Sequence, residues 1–283
     1  MKKALRIIGA LVGLAVLAVL AAAIILPLVI DPNDYRDRIA AEVEKRTGRP
    51  LTLAGPIELS VFPWLGLSLE DATLGNAPGF GKEPFVAVQE ARVKVRAIPL
   101  VLRRDLEVDT VVLREPRIHL AVNRKGQGNW EDLAGNTTPD ADGPADTAEG
   151  GGLGAVVIGG VNVSAGEVVY TDARSGATTR LRKLDLDVGR VVPGKPVALS
   201  AQARVEASGP GVAADVKLRT QLTADPGAQR YRLADLDLDA RLGGEGLPKD
   251  GLPVKVRADA DADLKAGRAQ LPKVRLEVLD AVL

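Results

Sequence analysis

The chain has no cysteine, a single histidine and only 3% aromatic residues among its 283 positions. Without cysteine there is no disulfide framework, zinc ribbon or thiol nucleophile. That lack is tolerated in oxidising and reducing compartments alike, so it fixes neither. The formal charge is +0, with 37 Lys and Arg against 37 Asp and Glu, and the basic excess of a nucleic-acid binder is missing. His119 stands in an alternating strand-like stretch, and no nucleophile or acid partner is evident around it. No enzymatic activity is expected, and no cofactor. Gly150-Gly151-Gly152 has no strand in frame before it and no Gly-Lys-Ser/Thr, so it is not a phosphate cradle. The acidic alternations Asp235-Leu-Asp237-Leu-Asp239 and Asp259-Ala-Asp261-Ala-Asp263 do not fit a calcium loop. An EF-hand needs glycine at position six and an acid at position twelve, where the second run has Leu264 and Gln270. They read as a solvated strand face opposite Arg and Lys of neighbouring strands.

What is present begins with an apolar run. From Ile7 to Ile30 no residue is charged. As a helix it is about 36 Å long at 1.5 Å per residue. That is enough to cross a hydrocarbon core of about 30 Å with some tilt. Ile7, Leu11, Leu14, Leu17, Leu20, Ile24 and Leu28 mark the membrane anchor, and Lys2, Lys3 and Arg6 precede it. A cleaved signal peptide is the competing reading, with Ala21-Ala22-Ala23 as its small-residue site. Its apolar region spans only about 7–15 residues, however, whereas this run continues through Ile24, Ile25, Leu26, Leu28 and Val29. Length favours an uncleaved single-pass anchor over residues 1–30. Charge does not orient it, because Arg36, Arg38, Lys45, Arg46 and Arg49 follow and outnumber the cations before it.

Asp31-Pro32 reads as a helix N-cap with proline at the first helical position. Tyr35, Ile39 and Val43 then share one face, and Gly48 and Pro50 end the helix. Such a helix lies on the membrane surface, plugs the end of a β body, or simply packs as a helix. From Leu51 onward the dominant period is two. Ile57, Leu59 and Val61 alternate with polar partners, as do Leu65, Leu67 and Leu69, then Val93, Val95 and Ala97. Leu106, Val108 and Val112, and later Ile118, Leu120 and Val122, continue the pattern. Strands with one apolar and one wet face are the mark of antiparallel sheet. The Pro-, Gly- and Asp-rich stretch 136–154 has no apolar period and reads as a disordered linker or long loop. It divides a helix-plus-β region over 31–135 from a second β region over 155–283.

Alternation returns beyond the linker in Val197, Leu199, Ala201, Ala203 and Val205, and in Val216 and Leu218. It continues in Leu236 and Leu238, then in Val254, Val256 and Ala258. Gly209-Pro210-Gly211, Pro226-Gly227 and Gly267 separate these runs. The segment Leu181-Arg-Lys-Leu-Asp-Leu-Asp-Val recurs as Leu233-Ala-Asp-Leu-Asp-Leu-Asp-Ala and more faintly as Leu271-Pro-Lys-Val-Arg-Leu-Glu-Val. That spacing suggests a hairpin-based repeat stacked along an extended sheet. Downstream of Val161 no amphipathic helix is long enough to cover the apolar face, and large exposed apolar areas mark interaction sites or aggregation. The face therefore meets a second sheet or curls into a trough that holds an apolar ligand. Its many alanines leave room rather than fill it, which tips the composition slightly toward a trough. The lining candidates are the alternating apolar residues just named. Trp64 and Trp130, each beside turn residues, cap the sheet's end or anchor at a membrane interface.

The motifs also resemble a known family. Asp31-Pro-Asn-Asp-Tyr35, Thr47-Gly-Arg-Pro-Leu51, Gly55-Pro-Ile57, Phe62-Pro-Trp-Leu-Gly-Leu67 and Leu74-Gly-Asn76 look like the start of an AsmA-type protein. So do Ile98-Pro-Leu100, Leu113-Arg-Glu-Pro116 and Gly128-Asn-Trp-Glu-Asp132, and behind the linker Gly160-Val-Asn-Val163, Gly166, Val169-Tyr-Thr-Asp172 and Leu184-Asp-Leu-Asp-Val-Gly189. The resemblance covers essentially the whole chain. It implies a protein anchored in the inner membrane of a Gram-negative envelope, with a large periplasmic β body. Related TamB-like and chorein-type bridge proteins are thought to carry lipid acyl chains in β grooves, and AsmA proteins are linked to outer-membrane biogenesis and outer-membrane protein assembly. The expected partners are membrane lipids through phospholipid acyl chains, or envelope assembly proteins; no nucleic acid is expected. Family members are typically much longer, and the sequence stops inside an alternating run at Leu283, so a fragment is expected.

Overall fold

The computed structural model describes residues 31–60, 64–96, 107–135, 157–192, 194–209, 211–225 and 228–278. The anchor residues Ile7 to Leu28 and the 136–154 linker lie outside them. Among the described residues, no helix is long and apolar enough to cross a membrane.

The entry helix forms where its caps place it, in two pieces. Pro32–Tyr35 is a 3-10 turn, capped by the Asp31 carboxylate, which accepts from the Asn33 N–H at 2.8 Å. Helix α1, Arg36–Thr47, follows and ends at Gly48 with φ 69°, whose N–H donates to the Glu44 carbonyl at 2.7 Å. Only glycine takes that left-handed C-cap without strain. Tyr35 and Ile39 face outward, 48% and 38% exposed.

Among the described residues, thirteen strands make one sheet. They are β1 (Leu51–Leu53), β2 (Ile57–Ser60), β3 (Trp64–Leu74), β4 (Val86–Arg96), β5 (Glu107–Arg114), β6 (Arg117–Val122) and β7 (Val157–Asp172). After these come β8 (Ala177–Val188), β9 (Val197–Ala207), β10 (Val212–Asp225), β11 (Arg230–Gly244), β12 (Leu252–Asp263) and β13 (Arg268–Val278). A short helix α2, Glu131–Gly135, follows β6. From β7 onward each strand pairs antiparallel with the next, and the predicted Gly267 lies in the connection between β12 and β13.

The sheet is mixed, which corrects the expectation of a purely antiparallel one. β5 and β6 each pair parallel with β7. Alternation reports which face is apolar but not which way a strand runs. The chain after β6 crosses back to the starting end, a return that a parallel pair requires. β5 and β6 form one interrupted strand, since Glu107 pairs Val157 and Val122 pairs Asp172 in a single register. The interruption falls at Glu115-Pro116, directly opposite Ala165, and both Glu115 and Ala165 have positive φ (46° and 53°). The sheet thus runs unbroken from the region before the linker to the region after it.

Positive-φ residues recur across neighbouring strands. Asp71 on β3, Glu115, Ala165 on β7 and Lys183 on β8 stand at adjacent registers, with φ between 46° and 53°. Asp235 on β11 adds another, with φ 52° and a register shift. Bulges bend a strand and increase its twist, and they are the usual device for curving a sheet. The repeated Leu-x-x-Leu segments prove to be these bulges. Lys183 and Asp235 are the third residues of the first two copies, and the β12–β13 register slips opposite Leu271-Pro272 in the third. The copies lie on β8, β11 and β13, so what recurs is a local kink rather than a hairpin of constant period.

The two ends of the sheet differ. At the first, β1 and β2 are short and flank β3, and the helical segment seals them. The Asn33 side chain accepts from the Ile57 N–H at 2.9 Å and donates to its carbonyl at 3.2 Å. Arg36 donates to the Gly55 carbonyl at 2.8 Å. Beneath lies a compact core of Leu53, Ile57 and Ala72, with Leu51, Leu69 and Val88 against it. At the other end β13 is the last described strand, with Leu271, Val274, Leu276 and Val278 50–65% exposed.

Candidate functional site

Register alone assigns the faces of the second region. Leu186 pairs Ala201, which pairs Leu218, then Leu238, Val256 and Leu276 across six strands. A second row runs Ala203, Val216, Ala240, Val254 and Val278. Leu236 faces Ala258, while Val197, Leu199 and Val205 extend the same face at its margins. Every lining candidate named from sequence therefore falls on one continuous face. Of these candidates only Val197 is buried; the others are half-buried. A filled sandwich core would bury them fully, as close packing requires.

The face carries a buried polar residue that the alternation missed. Thr220 pairs Leu199 and lies buried, and its hydroxyl donates to the Ala234 carbonyl at 3.0 Å. That carbonyl belongs to the β11 bulge, where the ladder is interrupted. The threonine satisfies a backbone group that would otherwise be orphaned on an apolar surface.

The opposite face is a charge ladder. Arg257 lies 3.8 Å from Asp237 and Lys255 3.6 Å from Asp239. Arg232 lies 3.5 Å from Asp261 and Arg230 3.1 Å from Asp263. The acidic alternations are thus matched by cations on the adjoining strands. A hollow of about 740 Å³ opens among these side chains, bordered by Asp185, Gln202, Arg204, Asp215, Lys217 and Lys255. Ala203, Val216, Ala240 and Val254 of the second apolar row also border it.

Carboxylates on this face also hold the bulges. Asp185 accepts from the Ala165 N–H at 3.0 Å, and Asp259 accepts from the Asp235 N–H at 3.0 Å. These backbone bonds, ahead of the Gln202 amide for Asp185 and Lys273 for Asp259, hold both carboxyls below their ordinary value of 3.8. Asp172, bound by the Arg174 side chain and backbone, falls to about 2. A carboxylate with a depressed folded pKa contributes stability that is complete above its unfolded pKa and lost as pH falls through the folded one. Thermal stability is therefore expected to be flat from pH 7 to about 5 and to decline from about 4 toward 2. Asp185→Asn and Asp259→Asn should flatten the upper part of that decline. Melting curves over a pH series check it.

A polar cluster sits at the sealed end. Its residues come from three sequence motifs far apart in the chain. The Arg49 side chain is fully buried. Its Nε donates to Asp132 Oδ2 at 3.1 Å and its Nη2 to Asp132 Oδ1 at 2.5 Å and to the Asn129 carbonyl. Its guanidinium carbon lies 4.5 Å from the Phe85 ring centre. Asn129, also fully buried, donates to Asn76 Oδ1 at 2.9 Å and to the His119 carbonyl at 2.8 Å, and accepts from the Ala121 N–H at 2.9 Å. Gly75 admits the approach, since a Cβ there would fall 2.7 Å from Pro50. Trp130 is half-buried with its ring against Gly128, at the sealed end. The cluster contains no free nucleophile. It ties α1, the β3–β4 loop and the start of the crossover into one unit. His119 contributes only a carbonyl to it, while its ring meets the Pro84 carbonyl at 3.2 Å.

Those three motifs belong to one sequence pattern, and a sequence model of the AsmA family matches residues 1–278. This chain belongs to the AsmA family. It is 35% identical to Protein AsmA of Escherichia coli (strain K12) over 95 residues, which is 34% of this chain and 15% of that relative's length. No solved structure matches it. Within the family frame, the Arg49 cluster positions the first strands, and the apolar rows of β8–β13 form the candidate ligand surface.

Proposed function

We propose that this chain is a membrane-anchored envelope protein whose body lies in the periplasm. Its apolar sheet face shelters phospholipid acyl chains passing between the inner and outer membranes. AsmA family membership supports the broader part, a role in outer-membrane or envelope biogenesis. The uncharged run Ile7–Ile30 supports the anchor. One observation carries the lipid reading: a continuous, half-exposed apolar face crosses β8–β13, on strands interrupted by bulges. Covering apolar surface is worth roughly 25 cal/mol per Å², so an acyl chain that covers about 400 Å² gains roughly 10 kcal/mol before the cost of ordering it. The chemistry asked of the ligand is apolar and linear, without a specific polar anchor.

Lipid extraction and mass spectrometry of the purified protein test this reading. Co-purified phospholipid at a fixed molar ratio is the expected result, and a lipid-free protein counts against it.

A further inference from the structure

The apolar row does not begin at β8. By register it continues back from Leu186 to Val163, Leu113, Ala91, Leu69 and Ile57, so it crosses the first region as well. It ends at Ile57, whose backbone the Asn33 side chain clamps beside the 3-10 turn that leads into α1. That helix has distinct faces. Arg36, Ala40, Val43 and Thr47 are half-buried at the spacing of one helical face, and Arg36 bonds the Gly55 carbonyl of the body. A second face carries Tyr35, Arg38, Ile39, Glu42, Lys45 and Arg46, all exposed. The other acids, Asp37 and Glu44, lie with Ala41 on a third face. The second face thus joins two apolar side chains to three cations against one carboxylate, and that carboxylate, Glu42, is held by Arg46 at 2.6 Å. Tyr35 stands five residues beyond Ile30, where the uncharged run ends, so the chain can carry it no more than about 18 Å from the anchor.

We propose that α1 lies in the headgroup layer of the membrane that holds the anchor. Tyr35 and Ile39 enter the boundary between headgroups and acyl chains, and Arg38, Lys45 and Arg46 meet the phosphates of anionic phospholipids. Exposed apolar side chains among cations are what an interfacial helix presents, and tyrosine favours that depth. Each cation near an anionic surface strengthens binding roughly fivefold. The face of Asp37 and Glu44 turns to water. Docking holds the Ile57 end of the apolar row at the bilayer. The inference rests on the anchored reading and is independent of what the apolar face carries.

The chain has no cysteine, so a single introduced one carries a nitroxide at a chosen site. The test places the full chain in nanodiscs of phosphatidylcholine, with or without phosphatidylglycerol. Power-saturation spectroscopy then reads each label against oxygen, which enriches in hydrocarbon, and a water-soluble nickel complex. With phosphatidylglycerol, a label at Ile39→Cys is expected about 5–10 Å into the headgroup–acyl boundary, and one at Asp37→Cys in water. Arg38→Glu combined with Lys45→Glu, both at exposed positions, should lower the docked-to-undocked ratio by about 25-fold or more. Discs without phosphatidylglycerol should shift the label at residue 39 toward water with no charge reversal at all. A label at 39 that stays in water, labels at 37 and 39 at one depth, or a depth indifferent to both charge reversal and lipid charge would overturn the proposal. So would a label at 39 shielded from both quenchers, because protein would then cover that face. A chain lost from the discs overturns the anchored reading and the docking together. A chain retained in the discs with residue 39 in water overturns the docking alone.

Discussion

Replacing Arg49 with alanine should destabilise the body by about 3–5 kcal/mol, the usual cost of stranding one partner of a buried ion pair. The guanidinium serves the Asp132 carboxylate, the Asn129 carbonyl and the Phe85 ring at once. Without it the Asn129 carbonyl keeps its burial and loses its donor. The buried Arg49 Nη1 has no partner among the described residues, so part of the desolvation cost is not offset there. That places the loss toward the lower end of the range. Arg49→Lys should fall between wild type and alanine, because an ammonium keeps the charge but not the two-pronged match to a carboxylate. Asp132→Asn should cost less than Arg49→Ala, since the Asp132 side chain is 39% exposed and water takes over part of its role. Chemical denaturation followed by far-ultraviolet dichroism measures all three. An Arg49→Ala protein as stable as wild type would show that the cluster is ornamental.

The second large effect concerns ligand rather than stability. Leu238→Asp places a carboxylate midway along the Leu186–Leu276 row. Residue 238 is half-buried, so the fold tolerates the change, but an ionised group on the apolar surface cannot be covered by hydrocarbon without a large desolvation cost. Co-purified lipid should fall by about tenfold or more, as a loss of only about 1.4 kcal/mol suffices for that factor. Lys217→Asp changes the charge of the neighbouring strand on the opposite face and should leave the lipid content unchanged. Equal loss in both variants would point to a general disturbance of the sheet.

Much of this surface was legible in the sequence, for a definite physical reason. A strand's side chains alternate with a fixed period of two, so Val197 to Val205 and Val254 to Ala258 could be assigned to one face before any pairing was known. Strand direction carries no such imprint. The parallel alignment of β5 and β6 with β7 depends on how the chain crosses back after Val122, which alternation does not encode. The bulges were visible only indirectly. The recurrence of Leu181-Arg-Lys-Leu and Leu233-Ala-Asp-Leu was apparent, but its meaning lay in the positive φ of Lys183 and Asp235, and neither residue type announces that conformation. The Arg49 cluster had a different fate. Its members sat in plain view within the motifs that carry the family resemblance, yet Arg49 and Asp132 lie 83 positions apart, and only the fold brings them together. Arg49 was weighed from sequence only as a cation flanking the membrane segment, whereas it is the most deeply buried charge among the described residues.

The most direct test of the acyl-chain reading is photocrosslinking from single positions in the protein within native membranes. A benzophenone side chain at Leu199 or Val256 should crosslink phospholipid, while one at Ser200 or Arg257, the adjacent residues on the charged face, should not. Lipid adducts confined to the first pair would place hydrocarbon on the apolar rows. Adducts from neither pair, or equal yields from both faces, would contradict a sheltered path for acyl chains along this sheet.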